Sequence, residues 1–489
     1  MRRTFLLLAI LTTAAPAASA GQSALRRLDG TLIAPPAIDS TVTSLMRAAD
    51  VTGVGITLFD RGQVAYQKTY GVRDKEKDLA LTTETVTSAA SLTKATFAYM
   101  VMQLVEEKIL DLDRPVQSYL PKPLAEYPRY LDLAADPRYR RITTRMLLDH
   151  TSGFPNFRVL NEDLKLNINF DPGSRFAYSG EGMQLLQFVI ETITNKPLGE
   201  LMQERVFRPL GMTRTSMVWD PAFEDDHANG YDAYGRSLGP QRFPQADAAG
   251  SMLTTLADFS RLIQAVMQSR GLRKSTRDLM LSPQIPITSQ HEFPTLAAES
   301  TDVNKAIQLS YGLGWGLYRT PYGKAFFKEG HAEGFRNYAV CFGNGTGIVI
   351  LTNSANGEGI YKGLLETLLR NTYTPIEWEG FTPFDQLPPR PPLKQHREIM
   401  VAPATLDKYV GSYGVSTGLA LKVTREGNRL MIWKGAERHE MVPEGDRDFF
   451  SQTADDEVKF RVDAQGRVTE MVLSTSGRSM VIKRIFEGH

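Results

Sequence analysis

Apolar and polar residues alternate along two stretches of the first 380 residues. The first stretch covers residues 54–72 and is interrupted by Asp60-Arg61-Gly62, whose residue types favour a tight turn. The second covers residues 324–353 and is interrupted by Gly343-Asn344-Gly345. Alternation with a period of two around such a turn predicts a β-hairpin in each stretch.

Between the two hairpins the apolar spacing changes to three and four residues, which is typical of helices. This spacing predicts a helix with one apolar face over residues 91–109, a mostly helical and loop-rich region over residues 111–275, and a helix over residues 359–370. Strands at both ends with helices between them predict an α/β fold. An antiparallel sheet flanked by helices would pack beside an all-α lobe, and ligands often bind in the cleft between such lobes.

The pattern changes again near residue 380. Residues 381–402 are rich in proline, which predicts a stiff linker after a main domain of residues 21–380. Residues 403–489 contain short apolar runs separated by polar turns, which predicts a small antiparallel β-barrel. Strands are expected there at residues 419–424, 430–433, 458–462 and 468–473.

Residues 1–20 have the pattern of a signal peptide. Arg2 and Arg3 precede a short apolar run, and Ala18-Ser19-Ala20 matches a small-x-small cleavage site. The run is shorter than the roughly 20 residues that span a bilayer. We therefore expect cleavage near Ala20, a periplasmic or secreted protein of bacterial type, and no membrane span afterwards.

Charge and composition narrow the functional classes. The chain has 56 basic and 55 acidic residues, a net charge of +1, and no basic run interleaved with aromatic residues, so nucleic-acid binding is not expected. Its histidines are scattered, and His291-Glu292 does not extend to a His-Glu-x-x-His motif, so no metal site is predicted. No cofactor is expected, and the oligomeric state stays open. Cys341 is the only cysteine, which excludes an intrachain disulfide.

The candidate nucleophile is Ser91, in Ser91-Leu92-Thr93-Lys94 at the start of the predicted helix. Residues three apart lie on the same helix face, so Lys94 can reach the Ser91 hydroxyl. A lysine whose pKa is lowered by burial or by a neighbouring cation can remove the serine proton. The alternative interpretation is a helix cap followed by a solvated lysine.

Two further segments offer polar groups. Tyr178-Ser179-Gly180 precedes an amphipathic helix, where a tyrosine can point into a cleft. The segment 330–334 follows a predicted strand and could offer the His331 side chain and a backbone N–H to a substrate carbonyl. The alternatives are a half-buried aromatic residue and a structural histidine.

Taken together, these motifs resemble the serine β-lactamase and penicillin-binding-protein superfamily, closest to its class C-like branch. That branch includes class C β-lactamases, D-alanyl-D-alanine carboxypeptidases, D-aminopeptidases and esterases. Besides Ser91 and Lys94, the resemblance rests on segments 147–153, 172–179, 209–212, 248–251, 311–315 and 330–331.

The resemblance implies a role for each residue. Ser91 is the acylated nucleophile, Lys94 its base, and Tyr178 the proton donor to the leaving group. His331 stands where many members have the lysine of a Lys-Thr-Gly motif, and the oxyanion hole is formed by the N–H groups of Ser91 and Gly334. The implied substrate is a small molecule or peptide with an ester or amide bond, such as a carboxylic ester, a D-amino-acid peptide or a β-lactam.

Two residues depart from the pattern of β-lactamases of this type. Gly180 stands in place of an asparagine, and Glu333 in place of a glycine. They motivate an alternative function, a catalytically silent cell-wall or ligand-binding protein with the same fold. A competing nucleophile is Ser237 in Gly235-Arg236-Ser237-Leu238-Gly239, but this motif lacks the buried strand and following helix of a nucleophile elbow.

Overall fold

The computed structural model describes residues 24–161, 165–390, 392, 394–414, 420–434, 437–452, 456–475 and 478–485. The predicted signal peptide lies outside these residues, as do Pro391 of the linker and Leu419 of the first predicted barrel strand. Among the described residues, none of the helices combines the length and the apolar character needed to cross a bilayer.

A nine-stranded antiparallel sheet organises the main domain and confirms the predicted fold class. Both predicted hairpins belong to it and are joined side by side, with Ile350 opposite Ile56. In spatial order its strands are Ile285–Pro286, Ser310–Tyr311, Gly316–Thr320, Gly323–Ala332, Phe335–Phe342, Gly347–Thr352, Gly53–Asp60, Gln63–Asp74 and Leu79–Ala80.

Both faces of this sheet are covered, which explains its nearly continuous apolar central strands. Val349 and Leu351 point to one face, into a core shared with most of the helices. Ile348 and Ile350 point to the other face, against the first helix and the 357–369 segment. The α-helices are Pro35–Ala49, Leu92–Glu106, Thr144–Leu148, Gly180–Thr194, Leu198–Met202, Arg208–Leu210, Leu256–Gln268, Lys274–Met280, Tyr361–Leu364 and Pro403–Leu406.

Two predicted helices differ from the observed ones. The helix predicted over residues 91–109 ends at Glu106, and Lys108 adopts a positive φ of 60°. It is buried on nearly every side, not on one face, because it runs through the centre of the main domain. The helix predicted over residues 359–370 contains one α-helical turn, Tyr361–Leu364, between a 3-10 turn, Gly357–Ile360, and a π-helical turn, Leu365–Leu369.

The C-terminal region forms the predicted barrel. Eight antiparallel strands close on themselves, since the first pairs with the last and Tyr413 lies opposite Arg484. Its apolar core is separate from that of the main domain. The strands are Gly411–Gly414, Ala420–Glu426, Arg429–Lys434, Glu437–Pro443, Asp448–Phe450, Asp456–Val462, Val468–Thr475 and Arg478–Ile485.

Candidate active site

Ser91 lies at the junction between a short strand and the central helix, Leu92–Glu106. The preceding residue, Ala90, has a φ of 49°, in the left-handed region that L-residues rarely adopt. Such a conformation costs about 1–3 kcal/mol and concentrates at functional sites. Ser91 is half-buried and lines a cavity, so its hydroxyl is accessible at a strained turn.

Lys94 reaches Ser91 as predicted from their spacing. Its ammonium nitrogen lies 2.9 Å from Ser91 Oγ and 2.6 Å from the carbonyl oxygen of Ala249. The side chain is almost completely buried. Burial, followed by the positive charge of Lys328, lowers the pKa of Lys94 to about 7, against opposing contributions from Asp247, Glu329 and Glu292. A neutral amine beside Ser91 Oγ is therefore accessible near pH 7 and can accept its proton.

Tyr178 and Lys328 form the other side of the site. The Lys328 ammonium donates a hydrogen bond of 3.0 Å to the Tyr178 hydroxyl, and both side chains are buried. The ring of Tyr178 lies between two ammonium nitrogens, with centroid distances of 4.9 Å to Lys94 and 4.7 Å to Lys328. Burial, followed by the negative charge of Glu329, raises the pKa of Tyr178, while a hydrogen bond with Ser91 opposes the rise. A protonated phenol can act as a general acid.

His150 packs directly behind Tyr178. The two ring centroids are 4.5 Å apart, and the buried imidazole Nδ1 accepts a 3.2 Å hydrogen bond from the backbone N–H of Ser179. Burial, with smaller effects of Lys94 and Lys328, lowers the pKa of His150 well below its usual value. A neutral His150 therefore holds the segment that carries Tyr178 without adding charge.

Three buried acids surround Lys328. Glu329 forms an ion pair with the Lys328 ammonium, and carboxylate oxygens of Glu292, Glu329 and Glu379 lie within 4.8 Å of one another. Burial, followed by the charge of Glu329, raises the pKa of both Glu292 and Glu379, which favours their protonated forms. Among the described residues these three acids have a geometry that could hold a metal ion. Sequence reasoning did not identify them or Lys328.

His331 and Gly334 lie at the end of the strand Gly323–Ala332 and in the turn that follows it. Lys328, not His331, contacts the Tyr178 hydroxyl, whereas His331 Nε2 lies 2.9 Å from Glu358 at the cavity wall. Gly334 is buried in the turn after the strand Gly323–Ala332, against residues 230 and 231, and does not line the cavity. His331, Ala332 and Glu333, which precede Gly334, do line it.

Gly180 begins a helix beside the site, and a larger residue there has no room. A Cβ atom at this position would lie 2.7 Å from the Phe157 ring and 2.9 Å from the Asn156 carbonyl oxygen. The Asn156 side chain also accepts a 3.0 Å hydrogen bond from the Gly180 N–H. The Phe157 ring fills the space beside Gly180 and also lines the cavity.

The cavity beside Ser91 has a volume of about 580 Å³ and lies between the main domain and the barrel. The main domain contributes Ala90 and Ser91, Phe157, and residues from the segments 241–251 and 331–333. The barrel contributes a second wall formed by Leu421, Ile432, His439, Met441, Asp456 and Leu473. The candidate site is thus bounded by both parts of the chain.

Ser237 does not occupy a nucleophile elbow. It begins the three-residue strand Ser237–Gly239, which pairs with Gly230–Tyr231. No helix follows this strand directly in the described chain, where Pro240 comes next. The local context that such a nucleophile needs is therefore missing.

Comparison with known proteins gives two family matches. The Beta-lactamase family model matches residues 38–368, and a domain of unknown function, DUF3471, matches residues 395–484. The curated relatives include penicillin-binding protein 4* of Bacillus subtilis, which is 24% identical over 436 residues, covering 82% of this chain and 88% of that protein.

Solved structures of low sequence identity share the fold. The octameric penicillin-binding protein homologue from Pyrococcus abyssi is 21% identical, with a TM-score of 0.57 over 92% of this chain and 99% of that one. The D-alanine carboxypeptidase AmpC from Burkholderia cenocepacia is also 21% identical, with a TM-score of 0.52 over 65% of this chain and 93% of that one. The first alignment extends well beyond the length of the main domain.

Proposed function

Because the chain belongs to the β-lactamase family, we propose that it is a serine hydrolase that cleaves an ester or amide through an acyl-enzyme on Ser91. The observation that carries the proposal is the 2.9 Å contact between the Lys94 ammonium nitrogen and Ser91 Oγ. Burial lowers the pKa of Lys94 to about 7, which favours its role as a base.

In the acylation step, Lys94 takes the Ser91 proton as Oγ bonds to the substrate carbonyl carbon. The negative charge on the carbonyl oxygen is held by the backbone N–H of Ser91 and by a second backbone N–H from the segment 331–334, for which Gly334 is the candidate that the resemblance implies. When the bond to the leaving group breaks, Tyr178 donates its proton to that group. The Lys328 ammonium, 3.0 Å from the Tyr178 oxygen, stabilises the negative charge of the phenolate that remains. The proton that Lys94 took from Ser91 then passes to Tyr178, which restores the phenol and the neutral amine.

In the deacylation step, water replaces the leaving group. A base in the same site takes one water proton while the oxygen attacks the acyl carbon, and the acid departs as Ser91 Oγ is reprotonated. Lys94, 2.9 Å from Ser91 Oγ, and Tyr178, which forms a hydrogen bond with Ser91, are the two candidates for this base. No step requires a cofactor.

The test is covalent labelling with a fluorophosphonate, in which Ser91 Oγ bonds to phosphorus as fluoride leaves. We expect intact-protein mass spectrometry to show one adduct on the wild type and none on Ser91→Ala. Ser237→Ala is the matched control and should label normally. Labelling that persists in Ser91→Ala, or that disappears in Ser237→Ala, would contradict the proposal.

A substrate panel then separates the activities within the family. p-Nitrophenyl esters, nitrocefin and D-alanyl peptides report esterase, β-lactamase and carboxypeptidase activity. Because Phe157 fills the space at Gly180, we expect ester hydrolysis to exceed nitrocefin hydrolysis. Absence of both labelling and turnover would favour the catalytically silent binding protein.

We also propose that the protein is exported after cleavage near Ala20, on the strength of the pattern in residues 1–20. Expression in a Gram-negative host and N-terminal sequencing of the periplasmic fraction test this. A mature chain that begins at Gly21 is expected, and retention of Met1 in the cytoplasm would contradict it.

A further inference from the structure

We propose that the cavity selects acyl donors that have an apolar group, bound in the mouth of the barrel, and a positively charged group, bound between Glu333 and Asp456. This inference rests on the proposed function and specifies its substrate class. It would disfavour donors that carry a carboxylate near the scissile bond.

The apolar part of the cavity is one end of the barrel. The strands Ala420–Glu426, Glu437–Pro443 and Asp456–Val462 begin at this end, and Arg429–Lys434 and Val468–Thr475 finish there. Leu421, Ile432, Met441 and Leu473 belong to the barrel core or pack against it, and they also line the cavity. The interior of the barrel therefore opens towards Ser91.

Phe157 and Phe243 add apolar surface from the main domain. A site with apolar walls on both sides favours a ligand in proportion to the apolar area that it buries. Each buried methylene group contributes about 0.8 kcal/mol, or roughly a fourfold gain in affinity.

The charged part of the cavity is acidic. Glu333 of the main domain and Asp456 of the barrel line opposite walls, and neither side chain forms an ion pair or hydrogen bond with another described residue. Asp247 also lines the cavity but accepts hydrogen bonds of 2.8 Å from Gln184 and from the Ala249 N–H. Glu333 and Asp456 are therefore the carboxylates that remain available to a ligand.

Two lysine ammonium groups lie deeper in the site. In the described part of the chain, no lysine or arginine lines the cavity. Lys94 is buried with a pKa lowered to about 7 by burial and then by Lys328, and Lys328 is paired with Glu329. Of the described residues that line the cavity, His331 and His439 are the basic ones, and neither imidazole is without a partner of its own. An amine would therefore find two carboxylates that have no described partner, and a substrate carboxylate would face the same two groups.

A matched set of boronic acid inhibitors tests the inference on the full-length protein. Boron accepts the Ser91 oxygen and forms a tetrahedral adduct, so the inhibition constant does not depend on which bond the enzyme cleaves. Phenylboronic acid is compared with its aminomethyl and carboxy derivatives, in both meta and para positions. Linear alkylboronic acids of two to six carbons measure the apolar contribution. Competition with fluorophosphonate labelling reports each inhibition constant.

We expect the aminomethyl compound to bind on the order of tenfold more tightly than the carboxy compound, as for a close charge pair that is partly solvated. Glu333→Gln and Asp456→Asn should each reduce this ratio. The control Asp302→Asn removes an exposed carboxylate that does not line the cavity and should leave the ratio unchanged. Equal binding of the two derivatives, or a ratio insensitive to both variants, would overturn the inference.

Affinity should rise about three- to fourfold for each added methylene group in the alkyl series. Leu473→Ala should flatten this rise, whereas Val481→Ala, also in the barrel but away from the cavity, should not. If Leu473→Ala fails to fold, the chain-length series on the wild type still decides, and a flat series contradicts the apolar site.

Calorimetric binding of hexylamine and of hexanoate to Ser91→Ala separates this inference from the proposed function. Neither compound needs a reactive serine. Preference for hexylamine that depends on Asp456 supports the site even if no fluorophosphonate adduct forms. Normal labelling of Ser91 without that preference supports the hydrolase and overturns the substrate class.

Discussion

Lys94 and Lys328 lie on either side of one aromatic ring, that of Tyr178, and their environments differ. Lys94 donates to a serine hydroxyl and a backbone carbonyl, both neutral. Lys328 has a carboxylate partner in Glu329. A base must be neutral and an electrostatic stabiliser must be charged, so the two lysines suit different roles in the same small volume.

The pH dependence of the reaction should report the Lys94 amine. Below its pKa, about 7, the amine is protonated and cannot accept the Ser91 proton. We therefore expect kcat/KM to fall about tenfold per pH unit below pH 7 and to level off above it. Glu329→Gln should move the midpoint to lower pH, because the Glu329 charge raises the pKa of Lys94. A midpoint that stays in place, measured with a p-nitrophenyl ester, would contradict this assignment.

Loss of the Tyr178 hydroxyl should slow turnover more than it affects substrate binding. Tyr178→Phe keeps the ring between the two lysines but removes the proton donor. A decrease in kcat of roughly 10²–10⁴-fold is expected, the usual range for an acid–base group. Tyr130→Phe, at another buried tyrosine outside the site, is the control. Near-normal turnover of Tyr178→Phe would remove this residue from the mechanism.

The ion pair of Lys328 and Glu329 should show strong coupling in stability. Lys328→Met leaves a buried carboxylate without its cation, which typically costs about 3–5 kcal/mol. The double variant Lys328→Met/Glu329→Gln should recover much of that loss. Urea unfolding gives the free energies of all four proteins. Additive effects of the two substitutions would show that the ion pair is not coupled in this way.

Sequence spacing predicted the contact between Ser91 and Lys94 because both lie on one helical turn. It could not predict Lys328, which follows Ala325-Phe326-Phe327 in a strand and has no local partner except Glu329. Its role depends on the loop carrying Tyr178, which is 150 residues away in the chain. The resemblance drew attention instead to His331, three residues farther along the same strand, where many members have a lysine.

At the scale of elements, the start of the helix Gly180–Thr194 depends on what packs against it. Ser179 caps this helix, with its Oγ accepting a 2.9 Å hydrogen bond from the Gly182 N–H. Phe157, from a loop that precedes the helix in sequence, occupies the space beside Gly180. Helix propensity alone would favour alanine at this position, and packing requires glycine.

Gly180→Ala should therefore destabilise the protein. The new methyl group would meet Phe157 and the Asn156 carbonyl, and overpacking of this kind typically costs about 1–3 kcal/mol. Gly199→Ala is the matched control near another helix start, where a Cβ atom meets nothing within 4 Å. It should be neutral or stabilising by up to about 1 kcal/mol. Equal effects on the urea midpoint would contradict the packing argument.

Element prediction was best where local pattern and packing agree. Both hairpins of the main sheet and four barrel strands follow the alternation of their residues. Glu437–Pro443 and Arg478–Ile485 are also strands, yet apolar and polar residues do not alternate regularly along either of them. Closure of the barrel supplies the partners that these strands need, and single-sequence periodicity does not contain that information.

At the scale of the whole molecule, the main domain and the barrel have separate apolar cores and share a cavity. The linker adds polar contacts, including a 2.8 Å hydrogen bond from Arg390 to the Asn356 side chain. Sequence composition predicted the linker and the barrel. It could not predict which end of the barrel lies against Ser91, since that depends on how the two surfaces fit.

Separate cores should give two transitions in scanning calorimetry of the free protein. A ligand bound in the shared cavity stabilises both parts, so saturating hexylamine should raise both transition temperatures. Asp456→Asn should weaken the shift of the barrel transition, and Asp302→Asn should leave it unchanged. A ligand-induced shift confined to one transition would contradict a cavity shared by the two parts.

The barrel wall also has a consequence for how this protein can diversify. The six described barrel residues that line the cavity lie in a part of the chain with its own apolar core, and that part holds neither Ser91 nor Lys94 nor Tyr178. Substitutions among them can reshape the recognition surface while the reactive groups keep their positions, much as loops vary on a constant scaffold. Selection acting on the mouth of the barrel could therefore produce hydrolases of different preference from one unchanged reaction centre.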